Sequence, residues 1–295
     1  MILNEAELLS GFKKALQEQG RKKATIHSYT RDIQNFLQYL GSTQLHLNLV
    51  DLPVFQEYQS HMRYVSKGKE SSIRRAIISL RQFFRFLQAT NELPSSPLEE
   101  QVIPSRLEKM PRLLDDQDLE KLFEASTESD DSLKSSRDAA ILAVLAYEGI
   151  KASELTELKW KDLQLDSNHS FLKIVGDRER IIEISEDTRS KLLRYKKELE
   201  QSPHPALSQK KLWPNMFISF KGQTKPSPRP KISRHGLKFV MYELGEKSSL
   251  GKINTEILRH YAIRRHLNLG YTIEDIMIHF GLRRIGNIAK HRKLV

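Results

Sequence analysis

The stretch Ile257-Leu-Arg-His-Tyr-Ala-Ile-Arg-Arg-His-Leu267, followed by Phe280-Gly-Leu-Arg-Arg284 and then His291, decides how this chain is read. It reads as helical, and it is dense in arginine and histidine. Residues 251–295 hold nine Lys and Arg against three Asp and Glu, a net of +6. Each cation that meets a phosphate releases condensed counterions, so such a segment suits a polyanionic partner. The whole chain leans the same way, with a net charge of +11 over 295 residues. The histidines form no metal motif: His260 and His266 are six apart, whereas two ligands on one helical face need a spacing of three or four.

Upstream, Met216-Phe-Ile-Ser-Phe-Lys-Gly222 is a short apolar segment before a loop with Pro226, Pro228 and Pro230. Phe171-Leu-Lys-Ile-Val175 and Arg180-Ile-Ile-Glu-Ile184 flank Gly176-Asp177 and are rich in β-branched residues, which predicts a hairpin. Residues 153–160 are predicted as a short helix and 136–147 as a strongly apolar, buried one. Asp115 and Asp116 ahead of Leu119, Leu122 and Phe123 mark a helix start. Residues 91–112, with Pro94, Pro97, Pro104 and Pro111, have the composition of a linker.

The N-terminal part predicts helices over 5–19, 28–40, 51–64 and 71–89, from apolar residues at helical spacing such as Leu8, Phe12 and Leu16. Gly20 and Gly41 are the expected stops of the first two. The fourth helix carries Arg74, Arg75, Arg81 and Arg85, and the second has Lys22, Lys23 and Arg31 near it; both groups are candidate phosphate contacts. The expected fold class is mainly α, with domains over 1–103 and 113–295, a linker at 104–112, and a small hairpin in the second domain.

Some functions are excluded. The absence of cysteine rules out disulfides and thiolate metal sites and fits a reducing compartment. No run approaches the length of a membrane span and no signal-like segment opens the chain, so a cytoplasmic location is expected. No glycine-rich phosphate loop is present, so neither ATP nor a dinucleotide is expected, nor any other cofactor or metal.

The local motifs make an ordinary list of helices specific. Tyr147-Glu-Gly-Ile-Lys-Ala-Ser-Glu-Leu-Thr-Glu-Leu-Lys-Trp-Lys-Asp162 resembles the first box of tyrosine recombinases of the Xer and phage-integrase type, thr-gly-leu-arg-x-ser-glu-leu and then leu-x-x-x-asp. Leu258-Arg-His260 resembles their second box, his-x-leu-arg-his, and Phe280-Gly-Leu282 stands where they have leu-gly-his. Residues 71–97 resemble the last helix of their N-terminal core-binding, SAM-like domain. The resemblance covers nearly the whole chain in order and spacing. It implies a two-domain clamp on double-stranded DNA and metal-free cleavage, in which a tyrosine hydroxyl attacks the phosphodiester and leaves a 3′-phosphotyrosine. Two arginines hold the non-bridging oxygens, a hairpin lysine protonates the leaving oxygen, and two histidines complete the set. Developing charge on the phosphorus oxygens needs fixed cationic donors of this kind.

The sequence departs from that set at almost every position. The first-box arginine aligns with Lys151, which keeps the charge but loses the planar fork. The hairpin lysine falls in a short turn, Gly176-Asp-Arg-Glu-Arg180, where Arg178 is the nearest cation and a poor proton donor. The second-box histidine aligns with Glu256, an anion that opposes charge development beside a phosphate. Arg259 is retained, the leu-gly-his histidine aligns with Leu282, and the tyrosine aligns with His291. No tyrosine follows Tyr271. Tyr271 as a displaced nucleophile and His291 as a phosphohistidine former remain alternatives. A basic tail, Lys290-His-Arg-Lys293, lying on DNA together with Arg283 and Arg284, is the simpler reading.

The resemblance and its departures imply a sequence-specific double-stranded DNA-binding protein derived from a tyrosine recombinase, without strand cleavage. Such a protein suits a target-site selector or architectural partner for the recombinase or transposase of a mobile element. An active recombinase using His291 or Tyr271 is the alternative, and an interaction protein that kept only the fold is a third. Only four residues follow His291, where the family usually continues into a helix that docks on a neighbouring protomer. Assembly through other surfaces, or a monomer or homodimer on DNA, is therefore expected.

Overall fold

A computed structural model describes residues 4–104, 112–129, 131–166, 169–202, 214–221, 227–229, 231–286 and 288. The chain divides into two units, residues 1–109 and 110–295, each with its own apolar core.

In the first unit the sequence builds helices. α1 (Glu5–Glu18) starts at Asn4, whose side chain accepts from the amides of Ala6 and Glu7, and stops at Gly20, where φ is +68°. α2 (Lys23–Ser42) starts before the predicted residue 28 because buried Ile26 extends its apolar face backwards. It also runs through Gly41; the left-handed turn falls on Gln44 instead. α3 (Leu52–Ser60) is capped by Asp51, with Pro53 in its first turn. It passes into a π-helical turn at His61–Val65, where the spacing predicts plain helix. That turn keeps Met62 buried while its carbonyl accepts from the Gly68 amide at 2.9 Å. α4 (Glu70–Ala89) buries Ile73, Ile77, Leu80, Phe84 and Leu87 on one face, as its periodicity predicts, and Phe83 meets Phe12 edge-on at 5.3 Å.

The second unit is built round α6 (Ser132–Ala146), buried from Ser135 to Ala146. It begins four residues before the predicted 136 because Asp131 caps it, accepting from the Lys134 amide at 3.0 Å. α5 (Asp116–Thr127), capped by Asp115, packs against it. α7 (Ala152–Leu155) is a single turn. The helix predicted to continue to 160 breaks because the chain pairs elsewhere: Trp160 N donates to Pro214 O at 3.1 Å and Met216 N to Leu158 O at 2.8 Å.

β1 (Leu163–Leu165), β2 (Ser170–Ile174) and β3 (Arg180–Glu183) form an antiparallel sheet in that order. β2 and β3 are the predicted hairpin, with Ile174 opposite Arg180. β1, three residues long, has too little pattern to be seen in sequence. α8 (Glu186–Gln201) also escapes the pattern, since it buries only Thr188, Leu192 and Tyr195, against α6. β4 (Ser219–Lys221) pairs with β5 (Ser227–Arg229). α9 (Arg234–Lys247), α10 (Thr255–Asn268) and α11 (Ile273–Phe280) complete the unit, and Ala262, Ile263, Ile276, Phe280 and Ile288 join α10 to α11 in a small cluster. The fold is mainly helical with a small antiparallel sheet, as expected. Among the described residues no helix is long and apolar enough to cross a membrane.

Candidate functional site

Asn254 fixes the start of α10, its side chain accepting from the amides of Glu256 and Ile257 at 3.0 Å each. One turn in, Arg259 is carried inward by its buried neighbours Ile257, Leu258 and Ala262 and is itself 5% exposed. Its guanidinium donates to the carbonyl oxygens of Gly149 and Phe280, the latter at 2.5 Å, and lies 5.5 Å over the Phe280 ring. Burial lowers its pKa, while Glu154 and Glu256 act in the opposite direction. The arginine kept from the family pattern is thus engaged by backbone. Its partner Gly149 cannot be another residue: φ is +57°, and a Cβ would lie 2.3 Å from Phe280 and 2.8 Å from Ala262.

Lys151 precedes α7, and its ammonium is 3.5 Å from the Glu154 carboxylate. Burial lowers its pKa and the guanidiniums of Arg259 and Arg180 lower it further, against Glu154. An anion is the complement of such a cluster.

Glu154 and Arg180 form the hub of the site, and sequence reading gave neither a role. The Arg180 fork donates to both Glu154 oxygens at 3.1 Å, to His279 O at 2.7 Å and to Arg178 O at 3.0 Å. Burial by itself raises the Glu154 pKa, but Arg180 and the Lys151 amide outweigh it and hold the carboxyl below its ordinary value. The hub therefore ties the first-box loop, the hairpin turn and the end of α11 together. Only the serine-glutamate-leucine of the first box hints at it in sequence, and nothing there points to a partner 26 residues away.

Beneath the loop, Glu148 is buried, and one of its oxygens accepts from Ser185 N at 3.0 Å, Ser185 Oγ at 2.8 Å and Thr188 Oγ1 at 2.6 Å. Burial raises its pKa against those bonds. His279 Nε2 lies 3.2 Å from Glu148 O and 3.7 Å from the carboxylate. Burial and the neighbouring His266 push the His279 pKa down to about 3, so the ring is neutral.

The remaining expected site residues are placed as follows. Arg178 is half-buried in the hairpin turn against Gly281, and its Nε has no hydrogen-bond partner among the described residues. Glu256 is exposed, 3.8 Å from His260 Nε2. Leu282 packs on the α10–α11 cluster. Tyr271 is half exposed, its ring 4.9 Å from that of His266, two helical turns along α10 from Arg259. Arg283 and Arg284 are exposed just past α11. Lys290 and His291 lie outside the described residues. Lys151, Arg178 and Arg259 are therefore brought together around Arg180 and Glu154, and Tyr271 stands apart on His266. Among the described residues no group of three or more His, Asp or Glu is placed to hold a metal ion.

In the first unit the arginines of α4 each bond within the unit, with Arg75 and Arg85 still exposed and Arg74 and Arg81 half-buried. Arg74 donates to Pro104 O at 2.8 Å, Arg81 to Glu99 O at 2.7 Å, and Arg85 forks the Glu99 carboxylate at 3.0 and 2.7 Å. These three fasten the segment that follows the helix. Arg75 turns the other way and forks Asp32 on α2 at 2.9 and 2.8 Å. Lys22 and Lys23 at the start of α2, and Arg31 two turns further along it, are exposed.

Residues 9–91 match the profile described as phage integrase, N-terminal SAM-like domain, and residues 112–291 match that of the phage integrase family. The chain is 29% identical to tyrosine recombinase XerC of Pediococcus pentosaceus, over 94% of this chain and 90% of that one. It is 25% identical to XerC of Staphylococcus aureus, over 91% and 86%. Its fold is similar to XerH site-specific recombinase bound to palindromic difH substrate in a post-cleavage complex, with a TM-score of 0.73, 17% identity and coverage of 99% of this chain and 81% of that one. A lambda integrase dimer bound to a COC′ core site gives 0.69, 18%, 97% and 76%. The two boxes, the hairpin between them and the helical first unit thus follow one family's plan from end to end, and this chain belongs to the phage integrase family, the tyrosine recombinases, with Xer-type relatives.

Proposed function

We propose that this chain is a sequence-specific double-stranded DNA-binding protein that holds its site without cutting it. The reacting positions carry the reading: Lys151, Glu256, Leu282 and His291 stand where the family has arginine, histidine, histidine and tyrosine, and the Arg259 guanidinium is bonded to two carbonyls. Of the other phenols of the second unit, Tyr242 on α9 is exposed but lies outside both boxes, and three are taken. Tyr195 is fully buried, Tyr261 donates to Asp116 at 2.6 Å, and Tyr147 lies under the Arg265 guanidinium. Burial raises the pKa of all three, which makes each a weaker nucleophile. Binding to duplex DNA is supported by the net charge of +11 and by solved relatives bound to DNA. The dimer of lambda integrase on its core site supports a homodimer here. Work as a cytoplasmic site selector or architectural partner beside an active recombinase or transposase of a mobile element follows from binding without cleavage.

Selection from random duplex DNA, followed by a nicked suicide substrate carrying the selected site, tests this. Tight, salt-sensitive binding with no denaturation-resistant adduct is expected. The XerC relatives are described as tyrosine recombinases, which favours an active enzyme as the second reading. A covalent adduct would establish that reading instead; loss of the adduct in acid would assign His291, and its survival in acid together with its loss in Tyr271→Phe would assign Tyr271.

A further inference from the structure

The groove between α2 and α4 in the first unit encloses about 480 Å³. Its lining includes Asn35, Gln38, Ser42, Ser66, Ser72 and Arg75. Such a lining is unusual for a phosphate-holding surface, which uses lysines and arginines at its rim. Here most of the polar groups are neutral carboxamides and hydroxyls around one guanidinium, together with the Asp32 carboxylate and the His61 imidazole.

That guanidinium is held. Asp32, whose side chain is 5% exposed, accepts from Arg75 Nε and Nη2 and also from Ser79 Oγ at 3.1 Å. Two of the five guanidinium N–H groups are used in this way, and the side chain stays 45% exposed. A carboxylate behind an arginine fixes its plane before any ligand arrives, which removes much of the ordering cost of binding. Asn35 and Gln38 are exposed on the same side of α2. In the major groove an arginine pairs in bidentate fashion with guanine O6 and N7, and a carboxamide with adenine N6 and N7.

We infer that Arg75 reads a guanine and that Asn35 and Gln38 read adenines at base edges in the major groove, with Asp32 as the positioning residue for Arg75. The inference rests on the DNA-binding reading above and names the determinants of its sequence preference. Phosphate contacts fall instead to cations such as Lys22 and Lys23 at the start of α2 and Arg31 two turns further along it.

Sequence selection from random duplex DNA is run on the wild-type chain and on Arg75→Lys, Asn35→Ala and Gln38→Ala. Arg75→Lys keeps a cation beside Asp32 but removes the fork. Asn35 and Gln38 are exposed, so their variants keep the fold; thermal melting checks all three. Arg75→Lys is expected to lose about ten-fold discrimination at one guanine, and each carboxamide variant a similar factor at an adenine. Affinity for scrambled duplex and its salt dependence stay unchanged. Variants that bind DNA but select the wild-type motif overturn the inference and leave DNA binding standing. So does a weakening uniform across all sequences, since that marks a phosphate contact. If the wild-type chain binds no duplex, the DNA-binding reading itself fails.

Discussion

Arg259 separates what a residue is from what it touches. Its identity matches the family's phosphate-gripping arginine, yet its terminal nitrogens donate to Gly149 O and Phe280 O. Removing it leaves buried carbonyls unpaired, at about 1–3 kcal/mol each. Arg259→Gln is therefore expected to lower the denaturant midpoint by an amount equivalent to about 3 kcal/mol, with little change in the salt dependence of DNA binding. Lys151→Gln should do the reverse: little loss of stability, and a slope shallower by about one phosphate contact. The opposite pattern would put Arg259 on the phosphate. His279 gives a pH signature. Its folded pKa is about 3, below the ordinary histidine value of 6.5, so the unfolded chain binds the extra proton first. Stability is complete above pH 6.5 and falls as acid is added, by about 2 kcal/mol between pH 7 and pH 5. Glu148, whose pKa burial raises, works the other way. The difference between wild type and His279→Asn in urea melts at pH 7 and pH 5 isolates the histidine, and parallel profiles would exclude it. The replacements proposed at Lys151, Glu256, Leu282 and His291 rest on sequence alone, where motifs are read at fixed spacing. The hub was not legible there: Glu154 meets Arg180 across 26 residues and Glu148 meets His279 across 131, pairings that only the fold makes.

Helices with a full apolar face were legible as elements, and α4 with Ile73, Ile77, Leu80, Phe84 and Leu87 is the clear case. Elements whose fate is set by a distant partner were not. The helix predicted over 153–160 stops after one turn because residues 158–160 bond to the segment at 214–216. α8 is too polar to announce the face it lays on α6. Glycines show the same divide between local preference and packing. Gly41 lies inside α2, exposed, with nothing within 4 Å of where its Cβ would be. Gly41→Ala is expected to stabilise the first unit by about 0.5 kcal/mol through helix propensity and a less flexible unfolded chain. Gly245 lies inside α9, and its Cβ would stand 2.0 Å from the carbonyl oxygen of Gly251. The same substitution there forces the helix off the following loop and costs about 2 kcal/mol or more. Denaturant melts of both variants check the opposite signs.

At the scale of the whole molecule, holding DNA and cutting it draw on different groups, so one can remain without the other. Affinity depends on how many cations reach phosphates, each releasing counterions. Cleavage depends on a few groups that must surround one phosphorus in line. On the DNA-binding reading proposed above, Lys22, Lys23, Arg31, Lys151, Arg178, Arg283 and Arg284 are taken as phosphate contacts, whereas the arginines of α4 bond within their own unit and Arg259 bonds to carbonyls. If these seven act together on B-form DNA, the logarithm of the binding constant should fall with the logarithm of salt at a slope of about −6. Fluorescence titrations of a labelled duplex between 50 and 200 mM salt measure it, and the expected loss of affinity is about three to four decades. Charge-neutralising variants at Arg74, Arg81 or Arg85 should leave that slope unaltered, since those guanidiniums are tied to Pro104 and Glu99. A slope shallower than about −3 would mean that the net charge of +11 is spread over surfaces that never meet the duplex. The same steep slope for a chain that leaves no adduct on a nicked substrate is the combination that a grip without a nucleophile requires.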